Sequence, residues 1–424
     1  MKPTLNLLSE IFPTLTKRIE PFKFFFQVVL AVCVLTCSAC SDAPAPSRFF
    51  GELSKSNSED SAEDSAEDSS ENKSVDGRDN ESSTSSFQSV NKTTPLVLPK
   101  DHGSHPDYQL EWWYLTFVLE DDEKNEYGLQ FTLFRFASAK EAQVASSWST
   151  PQQWMGHASL HSKDEHFFEE RLAAGGVGNA FVKSAPFNAV IDNWSWQSKN
   201  DSPFPATLQF SINNTVDIAL SLTANGPFVK QGDKGYSKKT QDARLRSYYY
   251  SQPFINASGT IDMNNTAFNV KGLGWYDHEW TSHLANSNAM GWDWFSLHLD
   301  DGSKLMAFRM HAADNGTNAG ASTINRGNEI YTTASYITAS GGKETLALHE
   351  ISIMPLDNEQ ITTVNAERDV PTTWQITIPG KGLDITVSPF KSGQWNSSVL
   401  AYYEGRVDVT GTHKGAGFME LTGY

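Results

Sequence analysis

From residue 101 onward the chain runs in short aromatic and β-branched stretches broken by Gly, Asn, Asp and Pro, and no stretch keeps a 3.6-residue apolar period. That pattern predicts strands joined by turns. The clearest hairpin is Trp292-Asp293-Trp294-Phe295-Ser296-Leu297-His298-Leu299-Asp300, then Asp301-Gly302, then Ser303-Lys304-Leu305-Met306-Ala307-Phe308-Arg309. Asp-Gly suits a two-residue type I′ turn, because both central positions need positive φ. Closing the ladder over it pairs Leu297 with Met306, Phe295 with Phe308 and Trp294 with Arg309, the last a cation–π contact of about 0.5–2 kcal/mol.

A second segment has the same plan. Glu111-Trp112-Trp113-Tyr114-Leu115-Thr116-Phe117 leads through an acidic turn to Tyr127-Gly128-Leu129-Gln130-Phe131-Thr132-Leu133-Phe134-Arg135. Each is an aromatic-headed strand, a polar turn and an apolar strand ending Phe-Arg. Their recurrence about 180 residues apart suggests an internal duplication, hence two similar β-domains in tandem. Chains this rich in short strands close as barrels or sandwiches, which protects sheet edges.

The first hundred residues differ. Lys17, Arg18 and Lys23 precede or enter an apolar run over residues 24–36, shorter than the roughly 20 residues a membrane span needs, and it reads as a signal-peptide core. Cys37-Ser38-Ala39-Cys40 reads as a lipobox, with Cys37 where leucine is usual. Cys40 is therefore the expected lipidated first residue of the mature protein, and acyl chains burying about 0.8 kcal/mol per CH₂ would hold it on the membrane. A plain secretory signal or an uncleaved anchor is the alternative. Ser41 is compatible with outer-membrane sorting, so the expected place is the bacterial envelope, outer membrane preferred, facing the periplasm. Residues 41–98 are mostly Ser, Glu, Asp and Asn, with Ser-Ala-Glu-Asp at 61–64 and again at 65–68. Such a segment buries too little to offset ordering and is expected to be a disordered linker spanning on the order of 40 Å. The layout is thus leader 1–40, linker 41–98, and β-domains over 99–285 and 286–424.

The formal charge of −17 leaves no basic stripe for phosphates, which excludes nucleic acid as a partner. Cys33, Cys37 and Cys40 are the only cysteines, so the body has neither a disulfide nor a thiolate metal site. Aromatic residues make up 12%, a content that suits strands and apolar pockets.

The separated motifs Ser104-His105-Pro106-Asp107-Tyr108, Glu111-Trp112-Trp113-Tyr114, Gly156-His157-Ala158-Ser159-Leu160, Gly235-Tyr236-Ser237-Lys238-Lys239, Ser247-Tyr248-Tyr249-Tyr250, Gly274-Trp275-Tyr276-Asp277-His278-Glu279-Trp280, Gly291-Trp292-Asp293-Trp294-Phe295 and Glu420-Leu421-Thr422-Gly423-Tyr424 carry a resemblance. In that order they resemble the AttH-like and carotenoid 1,2-hydratase family, from about residue 101 to the end. The resemblance implies two tandem lipocalin-like β-barrels. It also implies either an enzyme of the hydro-lyase kind, among relatives loosely labelled secreted hydrolases, or a binding protein, because one fold does not fix one reaction.

Adding water across an alkene needs an acid that protonates carbon, a site that tolerates the cation, and a delivered water. Asp277, His278 and Glu279 between Trp275, Tyr276 and Trp280 could supply these. On a strand Trp275, Asp277 and Glu279 share one face, their carboxylates about 7 Å apart. Mutual repulsion near indole would then keep one carboxyl protonated near neutrality, an acid typically worth about 10²–10⁴-fold in rate. Asp277 is the expected acid, His278 or Glu279 orients water, and Tyr276 is the reserve. Trp112, Trp113, Trp275, Trp280, Trp292 and Trp294 are the expected apolar ligand contacts, for an isoprenoid or lipid-like partner, in the service of an envelope ABC transport system. The competing reading is that the same residues pin two barrels together by buried hydrogen bonds, in a structural envelope component without a ligand.

No cofactor and no metal are expected. His157 and His161 share a strand face but lie about 13 Å apart, and His102 with His105 has no third ligand in view. No Gly-x-Ser-x-Gly elbow occurs, and Gly175-Gly176-Val177-Gly178 lacks the lysine of a phosphate loop. Lys238, Lys239 and Arg246 read as a solvated loop or an anionic-headgroup contact.

Overall fold

The structure is a computed structural model, and it describes residues 87–138, 150–175, 178–283, 290–312, 329–363 and 366–424. The expected signal peptide, the lipobox with Cys40 and the linker as far as residue 86 lie outside the described residues. The last part of the expected linker does not behave as one. Val90 and Leu96 are buried in the first barrel's core, so the folded part begins before residue 99.

The fold is all-β. The first sheet comprises β1 (Leu110–Asp121), β2 (Glu126–Ala137), β3 (Gln152–His161), β4 (His166–Ala174), β5 (Ala180–Ser184), β6 (Phe187–Ile191), β7 (Trp194–Ser198), β8 (Ala206–Ile212), β9 (Val216–Ala224), β10 (Val229–Lys230), β11 (Tyr236–Lys238), β12 (Arg246–Met263) and β13 (Thr266–Thr281). The second comprises β14 (Met290–Leu299), β15 (Lys304–Ala312), β16 (Glu329–Ile337), β17 (Lys343–Leu346), β18 (Ser352–Thr362), β19 (Glu367–Ile378), β20 (Leu383–Pro389), β21 (Trp395–Asn396), β22 (Tyr402–Gly411) and β23 (Gly415–Leu421).

The first sheet runs β4-β3-β2-β1-β13-β12-β9-β8-β7-β6-β5 and curls into a nearly closed barrel. The β4 end comes back against the β8–β9 turn, where Asn213 donates to the Phe168 carbonyl on β4 at 3.1 Å. The second sheet runs β17-β16-β15-β14-β23-β22-β20-β19-β18 around a core that includes Phe295, Trp374 and Met419. The two make the tandem lipocalin-like arrangement.

Burial differs along the first sheet. In β8 apolar residues alternate with exposed polar ones, as a strand with one solvated face requires. In β1, β2 and the last half of β13 nearly every position is buried. These strands carry the barrel core on one face, with Trp113, Leu115, Tyr276 and Trp280, and an inter-sheet cluster on the other, with Tyr114 and Trp275 beside Trp294, Phe308 and Phe418. Continuous aromatic runs are the sequence trace of that double burial.

The β14–β15 register corrects one expectation. Leu297 faces Leu305, Trp294 faces Phe308, and Arg309 faces Asp293, one residue off the predicted pairing. The turn closes earlier than a two-residue turn would. Leu299 N–H donates to Ser303 O at 3.0 Å and Gly302 N–H to Leu299 O at 3.0 Å, leaving residues 300–302 as a three-residue loop. Gly302, at φ 85, takes its left-handed position, which glycine adopts without a Cβ penalty. Arg309 therefore makes a buried ion pair with Asp293 (Nε to Oδ2, 2.7 Å), and its guanidinium lies 4.7 Å over Trp374 rather than against Trp294. In β1–β2 the corresponding pair is Glu111 opposite Arg135, so both hairpins carry a cross-strand acid and arginine.

Candidate functional site

Alternation along β13 divides the predicted residues between two places. Tyr276, His278 and Trp280 point into the first barrel, where Trp113 also lies. Asp277, Trp275 and Trp294 lie between the sheets, with Trp112 and Trp292 at the margin of that cluster. The Asp277-His278-Glu279 run is therefore not one catalytic group: neighbouring strand residues face opposite ways.

At the inter-sheet face Asp277 is buried and accepts three hydrogen bonds. Ser251 Oγ donates to Oδ1 at 2.5 Å, Trp275 Nε1 to Oδ1 at 2.8 Å and the Tyr249 hydroxyl to Oδ2 at 2.8 Å. The second sheet reaches this group through Trp294, whose Nε1 donates to the Tyr249 oxygen at 3.3 Å. Burial pushes Asp277 up to about 7, while the three donors hold it back and the Glu279 charge adds to the rise. Desolvation, rather than the carboxylate repulsion expected from the sequence, is the larger cause. Glu279 accepts the Ser247 hydroxyl and pairs with Lys239 at 2.7 Å. Lys239 is buried, with its ammonium 4.9 Å over Tyr249 and 4.7 Å over Phe308, so it is no solvated loop residue.

Two further carboxyls on this face were not legible in the sequence. Glu404 on β22 and Glu420 on β23 stand directly opposite each other; Glu404 is buried, with no hydrogen-bond partner at Oε2, and Glu420 is partly buried. The Tyr114 hydroxyl donates to Glu404 at 2.5 Å, and Trp292 Nε1 to Glu420 at 2.5 Å. Burial and the Glu420 charge push Glu404 well above the usual carboxylate range; burial lifts Glu420 to about 7. Like charges on facing positions favour the protonated form, which adds to the effect of burial. Glu420 opens the terminal family motif and Glu404 belongs to none, and only the folded β22–β23 register brings them together.

Inside the first barrel Glu111 is the hub. Its Oε1 accepts from His105 Nδ1 at 2.6 Å and His278 Nε2 at 2.8 Å; its Oε2 accepts from Arg135 Nε at 2.9 Å and the His105 backbone N–H at 2.8 Å. Burial opposes ionisation of Glu111, yet the His105 and Arg135 charges hold its carboxyl below the usual range. His278 is lowered to about 4 by burial, and His102, whose Nδ1 is 2.7 Å from the Tyr250 hydroxyl, to about 3 for the same cause. His157 instead faces the second sheet, with Nδ1 2.9 Å from the Tyr402 hydroxyl, and Nε2 3.0 Å from Glu170.

The AttH-like family profile matches residues 89–424. A solved structure of a Nitrosomonas europaea protein described as AttH is similar at 28% identity and TM-score 0.69, over 80% of this chain and 99% of that one. Kievitone hydratase from Nectria haematococca is similar at 16% identity and TM-score 0.57, over 80% of this chain and 96% of its own, a likeness of fold. No curated protein matches.

Proposed function

The chain belongs to the AttH-like family, and from that premise we propose that it binds an apolar, isoprenoid- or lipid-like molecule at the face between its sheets and transforms it by proton transfer from Asp277. The observation that carries this reading is a buried carboxyl, raised to about 7, set among the Trp275 and Trp294 indoles and the Tyr249 hydroxyl. Near neutrality such a group is present both as an acid and as a base.

In a hydration the protonated Asp277 carboxyl gives its proton to one alkene carbon, and the π pair forms the new C–H bond. The adjacent carbon becomes a cation, which the indole faces of Trp275 and Trp294 stabilise by their quadrupoles. Water adds through oxygen to form the C–O bond, and its surplus proton returns to the Asp277 carboxylate. We place the protein on the periplasmic side of the outer membrane, tethered through Cys40, on the strength of the lipobox sequence. The three donors on Asp277 favour a second reading, in which the carboxyl is a structural acceptor and the protein carries its ligand unchanged, for an envelope ABC transport system.

Native mass spectrometry of the full chain, purified in detergent from its own membranes, separates these. An apolar molecule accumulating unconverted in Asp277→Asn alone supports catalysis. The same molecule held equally by both forms supports a carrier, and both forms emerging without any such molecule overturn the proposal.

A further inference from the structure

We propose that His105 Nδ1, His278 Nε2 and Glu111 Oε1 are the protein ligands of a divalent first-row transition ion inside the first barrel. The three atoms lie within 4.8 Å of one another. They come from the segment before β1, from β13 and from β1, so the fold and not a local motif assembles them. Two imidazoles and one carboxylate form a donor set that suits zinc, iron(II) or cobalt(II).

The carboxylate divides its work. Arg135 and the His105 backbone N–H take Oε2, which already compensates and orients the charge. Two imidazoles then converge on the remaining oxygen, more than neutralising Glu111 requires. Each of them is held from behind, as metal-bound histidines usually are. His105 Nε2 is 3.6 Å from Asp101 Oδ1, and its ring stacks on Trp280 at 3.9 Å with 5° between planes. His278 Nδ1 is 3.0 Å from the Tyr250 hydroxyl, and its ring stacks on Trp113 at 4.7 Å.

Loading requires lone pairs at His105 Nδ1 and His278 Nε2. The ring protons then sit at Nε2 toward Asp101 and at Nδ1 toward Tyr250, where acceptors already stand. Metal–nitrogen bonds of about 2.0–2.1 Å would draw the nitrogens back from Oε1 by roughly half an ångström. His105 is only partly buried, which supplies an entry path. Three protein ligands leave a coordination position open, the pattern of a reactive centre rather than a closed structural one. The site is on the opposite face of β13 from Asp277, so the proposal stands apart from the proton-transfer reading.

The test loads the chelator-stripped full chain with cobalt(II) alone and reads visible d–d absorption with bound metal per chain. One equivalent with nitrogen–oxygen bands is expected in the wild type, no bands in Glu111→Gln or His105→Ala, and about 10–100-fold weaker binding in Asp101→Asn. Circular dichroism identifies any variant that has not folded, and His105→Ala, at the barrel's partly exposed edge, remains informative if Glu111→Gln is lost. Far less than one equivalent in the wild type, or bands that persist in a folded variant, overturns the assignment.

Discussion

The Tyr114 phenol on β1 donates to Glu404 Oε1 on β22 at 2.5 Å, a hydrogen bond from the first sheet to a buried carboxyl of the second. Burial and the charge of Glu420 beside it raise the Glu404 carboxyl well above its usual range. A buried acceptor that loses its donor bears the desolvation cost alone, about 1–3 kcal/mol. Tyr114→Phe is therefore expected to lower stability by that amount in denaturant unfolding. An unchanged midpoint would mean that the Glu404–Glu420 pair reorganises to satisfy itself without the phenol.

The raised carboxyls give a pH signature. Asp277 binds its proton more tightly folded, at about 7, than unfolded, near 3.8. Between those values the native state holds more protons than the unfolded one, so this group's contribution falls as pH rises from about 4 to 7. Buried histidines oppose it: His278, lowered to about 4, contributes stability that is lost as pH falls from its ordinary 6.5 toward 4. The two effects separate in a difference. Relative to wild type, Asp277→Asn is expected to gain about 2–4 kcal/mol between pH 4 and pH 8, read by denaturant midpoints. A gap that does not change with pH contradicts the raised value.

Part of this was legible in the chain. Aromatic runs punctuated by Gly and Asn announced the strands, and the motifs from Ser104 to Tyr424 carried the family. The period of two in residues 275–280 placed Asp277 with Trp275 and, applied equally, separates His278 from both. What the chain did not announce depends on pairing. Asp301-Gly302 permits either a two- or a three-residue loop, and only the Leu299–Ser303 closure fixes Arg309 against Asp293. Glu404 and Glu420 are isolated acids until β22 meets β23.

That register has its own consequence. Arg309 and Asp293 are buried together, and Asp293 also accepts the Tyr424 hydroxyl at 2.7 Å. Removing the cation strands a buried carboxylate, so Arg309→Met is expected to destabilise by about 3–5 kcal/mol. Adding Asp293→Asn should recover a large part of the loss, because the uncompensated charge is gone. A thermodynamic cycle on the three variants measures the coupling; simple additivity would mean that Arg309 stabilises through its contact with Trp374 instead.

The indole N–H of Trp275 is one of three donors that favour the charged form of Asp277. Trp275→Phe keeps an aromatic face but deletes that donor, so the Asp277 pKa should climb above about 7. Carbon-13 NMR of aspartate-labelled protein, with the resonance assigned by its loss in Asp277→Asn, reads the titration directly. If Asp277 is the acid, the alkaline limb of ligand conversion shifts upward by the same interval. An unmoved titration would make the indole a packing residue, and a moved titration with an unmoved pH profile would remove Asp277 from the chemistry while leaving its electrostatics intact.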